Sequence, residues 1–200
     1  MPAENEIVAE LDLGEPSQEL LDWAKENIRE DPNTKCQLLS DFKDMIYSRG
    51  ECIPIRSDDA FLLRFLRSRK FSLEAAYNLF INYHNFREDN PTFVESVGFE
   101  CLEIAGGYDV INVPPYLDQA GRRILLYKIS KWDPDNYSID DAFKATLMIL
   151  ELAMLEERAQ IKGGICIVDC SGISTQQVLY CTPSIARKLV QISVVSFSIV

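Results

Sequence analysis

The sequence has 200 residues, of which 47% are hydrophobic, and carries a formal net charge of −11. This length and apolar content suit a globular protein of one or two domains, and the acidic balance argues against nucleic acid as a partner. The acids concentrate at the start of the chain, where residues 1–31 hold ten acidic side chains against only Lys25 and Arg29. We therefore expect residues 1–15 to form a solvated, disordered segment.

Targeting and redox signals favour a cytoplasmic protein. The N-terminus lacks the basic and apolar regions of a secretory signal, and the six cysteines include no CxxC pair and no zinc spacing. We expect reduced thiols, no metal and no cofactor. The most apolar stretch, around Leu147–Leu155, is too short and too interrupted to cross a bilayer.

Residues 16–90 predict a domain made only of helices. Apolar residues recur at helical spacing, Ser17 and Asp58 precede two of the runs as candidate caps, and Asn90-Pro91 ends the last one. The predicted helices are Pro16–Glu30, Thr34–Tyr47, Asp59–Arg69 and a fourth that begins after Ser72.

Residues 91–200 predict a mixed α/β layer. The predicted elements are strands at Tyr108–Val113 and Arg123–Ile129, a long helix at Ile139–Gln160, a strand at Ile165–Asp169 and a helix opened by Thr182-Pro183. The Ile165 strand is an almost continuous apolar run, which is typical of a strand buried on both faces. Alternation of strands and helices after a helical domain predicts an α/β fold.

The residue types needed for catalysis are sparse. His84 is the only histidine, which weakens both triad and metal hypotheses. Asp169 follows a strand and could hold a metal or a nucleotide in an α/β enzyme, but no glycine-rich phosphate loop accompanies it. The simpler interpretation is that Asp169 caps the following turn, and we expect no enzymatic activity.

The Asp59–Arg69 helix carries a local positive charge in an acidic chain. Its apolar stripe leaves Arg64 and Arg67 on the opposite side, three residues apart. Guanidinium groups on such a face could bind phosphate or an anionic lipid headgroup. The alternative is that both arginines pair with the protein's own acids.

The predicted helix from Ile139 is unusually apolar. Between Ala145 and Leu155 only Thr146 and Glu151 are polar, so the helix must be buried on nearly every side. It is either an ordinary core helix or the wall of an apolar cavity in which Thr146 is a lone polar group. Composition does not separate these alternatives.

Four ordered motifs resemble the CRAL-TRIO family. Residues 59–71 are similar to its helical N-terminal module, residues 124–134 to a strand with a following Trp-Asp-Pro, residues 165–172 to its central strand and turn, and residues 182–188 to its next helix. The match runs from about residue 35 to residue 197. Within the family it is most similar to the branch of alpha-tocopherol transfer protein, retinaldehyde-binding protein and clavesin.

This resemblance implies a helical N-terminal domain over residues 16–90 and a CRAL-TRIO lipid-binding domain over residues 91–200. It implies a monomeric cytoplasmic carrier, peripheral on membranes, that moves a tocopherol-, retinoid- or phosphoinositide-like lipid between them. Arg64 and Arg67 match the family's phosphoinositide-sensing positions. The positions that match cavity-lining residues are Ile129, Thr146, Leu150, Ala153, Leu179, Ile185 and Leu189.

The C-terminal end departs from the family pattern. Residues 194–200 lack the usual aspartate and proline, and the second half of the lipid-binding domain and its lid helix do not follow. We therefore expect an incomplete domain that is poorly stable or aggregation-prone and carries ligand weakly. The alternative function is a regulatory or membrane-interaction module that has lost ligand transfer.

Overall fold

The computed structural model describes residues 10–92, 101, 104, 107, 109–180 and 182–196. The helices of this part are α1 Gln18–Ile28, α2 Pro32–Arg49, α3 Asp59–Ser68, α4 Leu73–Asp89, α5 Ile139–Ala153, α6 Glu157–Lys162, α7 Thr175–Tyr180 and α8 Pro183–Ser196. The strands are β1 Ile111–Asn112, β2 Arg123–Lys128 and β3 Gly164–Asp169, and a 3-10 turn at Ile129–Lys131 follows β2. The predicted α/β class is confirmed.

The caps predicted at Ser17 and Asp58 are confirmed. The Ser17 hydroxyl accepts from the Leu20 amide at 3.3 Å, and the Asp58 carboxylate accepts from the Phe61 amide at 3.1 Å. Ser138 and Asp141 form a reciprocal capping box at the start of α5. Pro32, by contrast, opens α2 at its first position rather than separating two helices, because the Asp31 side chain caps the Asn33 amide.

The sheet of the described residues has the order β1-β2-β3. Strand β1 pairs antiparallel with β2, and β2 pairs parallel with β3, with Arg123 opposite Gly164 and Lys128 opposite Asp169. The prediction that β3 is covered on both faces is wrong, since Ile167 is 46% exposed and Val168 50%. Within the described sheet β3 is an edge strand, paired on one side only.

One apolar core joins the N-terminal helices to the α/β part. Aromatic rings from α2, α3 and α4 fill its centre, with the Phe65 and Phe80 ring centroids 5.2 Å apart in an edge-to-face contact. Phe143 and Leu147 of α5 and Ile192 of α8 belong to the same cluster. The helical module and the α/β layer therefore share buried surface.

The predicted long helix at Ile139–Gln160 is interrupted. Helix α5 ends at Ala153, and α6 begins only at Glu157 after a turn through Met154–Glu156. The backbone of Glu156 is extended, and its buried carboxylate binds the Arg123 guanidinium at 2.6 Å. The turn therefore places the Glu156 carboxylate beside the strand, and within it Gln160 Nε2 donates to the Met154 carbonyl at 2.8 Å.

His84 has a structural role on α4. Its Nδ1–H donates to the Phe80 carbonyl at 2.8 Å, and its Nε2 accepts from the Ile55 amide at 3.3 Å. Both contacts require the neutral ring with the proton on Nδ1. Burial lowers the pKa of His84, so the neutral ring is the form that holds the 51–57 loop against the helix.

Acid should therefore weaken the fold through His84. Because its folded-state pKa is lowered, the unfolded chain binds the proton first, and stability falls as the pH drops through about 6.5 until the folded-state pKa is reached. We expect a loss of up to about 1.4 kcal/mol per pH unit within that window. Urea unfolding at pH 7, 6 and 5 measures it. In His84→Gln the slope should flatten, because this sequence has no other histidine; an unchanged slope would refute the assignment.

Candidate binding cavity

A cavity of about 530 Å³ lies between the sheet and helix α5. Side chains of β2 and β3 form one wall, α5 forms the opposite wall, and Ile185 and Leu189 of α8 close part of a third side. The wall is almost entirely apolar. Of the two alternatives for the Ile139 helix, the structure therefore shows the one in which part of its apolar surface faces a hollow.

Six of the seven sequence-predicted lining positions lie on this wall. They are Ile129 after β2, Thr146, Leu150 and Ala153 on α5, and Ile185 and Leu189 on α8. The structure therefore brings together residues that are as much as 60 positions apart in the chain, from Ile129 to Leu189.

The placement of Leu179 in the cavity wall is wrong. Its side chain is 76% exposed, and α7 presents Gln177 and Tyr180 to the cavity instead. Gln177 sets the rotation of this helix, because its Nε2 donates to the Ile129 and Trp132 carbonyls. A residue two positions after Gln177 lies about 200° around the helix and so faces solvent.

Tyr127 and Thr146 form a polar point in the apolar wall. The Tyr127 hydroxyl donates to Thr146 Oγ1 at 3.0 Å, and Thr146 Oγ1 donates to the Ala142 carbonyl at 2.8 Å. Burial raises the pKa of Tyr127, so the phenol stays neutral. Thr146 is thus not the lone polar group that the sequence suggested, and the phenol oxygen keeps an acceptor position for a ligand hydroxyl.

Tyr127 and Arg123 were not predicted as site residues, although a signal for them existed. Side chains on one face of a strand recur every second residue. Arg123, Leu125 and Tyr127 therefore share the face of β2 that leads to Ile129, and all of them line the cavity.

Arg123 and Glu156 belong to the wall at one end of the cavity. Two hydrogen bonds join the guanidinium to the carboxylate, and the Glu156 side chain is only 1% exposed. The main chain of Glu10 and Asp12, within the segment expected from the sequence to be disordered, contacts this pair. Residues 1–9 lie outside the described residues.

The predicted exposed basic face of α3 is wrong for Arg67. Its side chain is 1% exposed, and it donates to both carboxylate oxygens of Glu30 at 2.8 Å, to Gln160 at 2.7 Å and to Glu157 at 2.8 Å. Burial alone would raise the pKa of Glu30, but Arg67 and Lys35 hold that pKa below its usual value. The structure shows the alternative in which the arginine pairs with the protein's own acids.

Arg64 is likewise directed inward. Its guanidinium binds Glu151 of α5 at 2.9 Å and lies over the rings of Phe61, Phe65 and Tyr83 at 4.2–4.9 Å from their centroids. The side chain is 10% exposed. A phosphate group therefore finds no open guanidinium at Arg64 or Arg67, because each is already engaged by the protein's own carboxylates.

Asp169 caps a turn at the end of β3. Its Oδ1 accepts from the Ser171 amide at 2.8 Å, and hydrogen bonds from Ser171 lower the pKa of the carboxyl group. This is the geometry of the simpler interpretation made from the sequence. It supplies no argument for a nucleotide or metal site.

Comparison with known proteins agrees with this architecture. Residues 17–82 match the CRAL/TRIO N-terminal domain, and residues 108–198 match the CRAL/TRIO domain. The chain is 30% identical over 176 residues to mouse "Alpha-tocopherol transfer protein-like", covering 88% of this chain and 51% of that protein. It is 31% identical over 179 residues to human "Clavesin-2", covering 88% and 54%. It is 33% identical over 178 residues to Xenopus laevis "Clavesin-1", covering 86% and 53%.

The chain has a helical module packed on an α/β layer with an apolar cavity, and a family model matches each of the two parts. These features define the class of protein. The chain belongs to the CRAL-TRIO family. It spans about half the length of the curated relatives that it matches. None of the helices in the described part is both long enough and apolar enough to cross a bilayer.

Proposed function

We propose that this chain binds one hydrophobic lipid in the cavity between the sheet and α5 and carries it between membranes at their cytoplasmic surface. The proposal rests on the presence of this cavity. A core helix with no ligand role would pack its apolar side chains against one another, whereas α5 turns Thr146, Leu150 and Ala153 towards unfilled space. No bond is made or broken in this function.

The size of the cavity suits one small lipid. A volume of about 530 Å³ lies within the range of about 300–1,000 Å³ that is common for ligand sites. A lipid of about thirty non-hydrogen atoms, at roughly −0.3 kcal/mol per atom, would gain about −9 kcal/mol, which corresponds to sub-micromolar binding. Such affinity permits both carriage and release.

The polar point indicates what kind of lipid is favoured. The Tyr127 oxygen can accept one hydrogen bond in an otherwise apolar wall, so an amphipathic lipid with a single hydroxyl group fits better than a pure hydrocarbon. Arg123 is the one cationic side chain among the described lining residues, and it already binds Glu156, so a doubly charged headgroup is disfavoured. A prenylated phenol such as tocopherol and a retinoid alcohol both satisfy this pattern, as the names of the relatives suggest for the first.

A competitive loading experiment tests the proposal. The purified chain is incubated with phosphatidylcholine vesicles that contain equal amounts of α-tocopherol, retinol, cholesterol and a phosphoinositide, and is then separated by gel filtration. Mass spectrometry of the extracted lipid should show one hydroxyl-bearing lipid in a ratio near one per chain. Tracer transfer from donor to acceptor vesicles, measured on the same sample, tests carriage.

Recovery of lipid no greater than that of a bystander protein of similar size would overturn the proposal. Recovery of phosphoinositide above the neutral lipids would retain lipid binding but refute the role assigned to the Tyr127 hydroxyl. Tyr127→Phe provides the matched variant, since it removes the hydroxyl and keeps the ring that lines the cavity.

A further inference from the structure

A short segment before α1 crosses the end of the cavity at which Arg123 and Glu156 lie. Residues 10–14, here called the strap, precede the Ser17 cap of the first helix. The Glu10 carbonyl accepts from Arg123 Nη2 at 2.6 Å, and the Asp12 amide donates to Glu156 Oε1 at 2.8 Å. The main chain of the strap is therefore bound on both sides of Leu11.

The two anchoring side chains lie on different elements of the cavity wall. Arg123 is the first residue of β2, and Glu156 immediately precedes α6. Since the Glu156 side chain is only 1% exposed, each hydrogen bond to its carboxylate replaces water that it has lost. The strap contributes one such bond through the Asp12 amide, and this bond fixes the position of the strap against Glu156.

Leu11 occupies the position of a plug. It and Glu10 belong to the cavity wall, whereas Leu13, two residues further along, does not and is 66% exposed. Leu11 remains 44% exposed, so it sits at the boundary between the hollow and solvent. Apolar contact at that boundary separates a bound lipid from water.

We propose that the strap is a gate at this end of the cavity, with Leu11 as the residue that retains the lipid. The attachment suits a gate because it is local. It consists of two main-chain hydrogen bonds and a longer contact of 3.6 Å between Asp12 and Arg158. Segments held by few contacts open at low free-energy cost while the core remains folded. This inference rests on the proposed lipid binding and adds a route by which the lipid leaves.

The test is the release rate of a fluorescent probe. Wild type, Leu11→Ala and Leu13→Ala are loaded with NBD-labelled α-tocopherol, and transfer to an excess of phosphatidylcholine vesicles is followed by stopped-flow fluorescence. Leu11→Ala should release the probe about fivefold or more faster, because three carbons are lost from the plug. Leu13→Ala should release it at the wild-type rate.

A second variant changes the anchor and leaves the plug in place. Asp12→Pro removes the amide hydrogen that binds Glu156, and it too should accelerate release. If all variants load the probe and release it at the wild-type rate, the gate is refuted while lipid binding stands. If no variant, wild type included, takes up the probe, both the gate and the proposed function are overturned.

Discussion

Replacing Arg67 with methionine should lower the free energy of unfolding by about 3–5 kcal/mol, which is the usual cost of removing one partner of a buried ion pair. The Glu30 side chain is 3% exposed and would keep its charge without the guanidinium that now binds both of its oxygens. Lys35 alone would remain beside it. Urea unfolding followed by circular dichroism measures the loss.

Arg56→Met is the matched control for this change. Arg56 also binds a carboxylate with two hydrogen bonds, to Asp58, but its side chain is 56% exposed, so a loss of only about 0–1 kcal/mol is expected. Should Arg67→Met fail to fold, the double variant Glu30→Gln with Arg67→Met should recover folded protein, because the buried carboxylate is then neutral and the two charges that lose a partner, Lys35 and Glu157, are 28% and 44% exposed. Equal losses for Arg67→Met and Arg56→Met would contradict the burial of this network.

Ala153→Trp should reduce lipid binding by more than about tenfold, equivalent to 1.4 kcal/mol. Ala153 lies on the α5 wall, and an indole there would occupy space that the proposed ligand needs. The free energy of unfolding should change less than in an overpacked core, where about 1–3 kcal/mol is typical, because the new ring enters a hollow. Titration with NBD-labelled α-tocopherol gives the affinity, and a thermal melt gives the stability.

Leu179→Trp provides the control for the cavity prediction. The family resemblance assigned Leu179 to the lining, but its side chain is 76% exposed on α7. A tryptophan at this position should leave probe affinity within about twofold of wild type, in line with the small effects of most surface substitutions. If Leu179→Trp abolished binding and Ala153→Trp did not, the sequence-based assignment of Leu179 would be right, that of Ala153 would be wrong, and the cavity described above would not be the binding site.

Local chemistry made much of the fold predictable. Ser17, Asp58 and Ser138 each precede a helix whose first free amides they bind, and such caps need only neighbours in sequence. The break after Ala153 was not predictable in the same way. Residues 150–160 are good helix formers, and the ion pair made at the turn joins Glu156 to Arg123, which lies 33 residues away in the sequence.

The site was predictable to the extent that one face of an element determines it. Thr146, Leu150 and Ala153 share a face of α5 because they are spaced by four and three residues. The orientation of Arg67 had no such local signal, since its partners Glu30, Glu157 and Gln160 are 37, 90 and 93 residues away. Helical periodicity placed that arginine opposite the apolar stripe, but the acids of two other segments cover it there.

The hydrogen-bond network of Arg67 also limits how a lipid can enter the cavity. It ties the end of α1 to α3 and α6, across the same boundary that the shared aromatic core spans. Separation of the helical module from the α/β layer would break the hydrogen bonds of Arg67 to Gln160 and Glu157 and expose the phenylalanine core to water. Lipid exchange should therefore proceed by local opening of short peripheral segments such as the strap or α7. Such a motion leaves the interface between the helical module and the α/β layer closed.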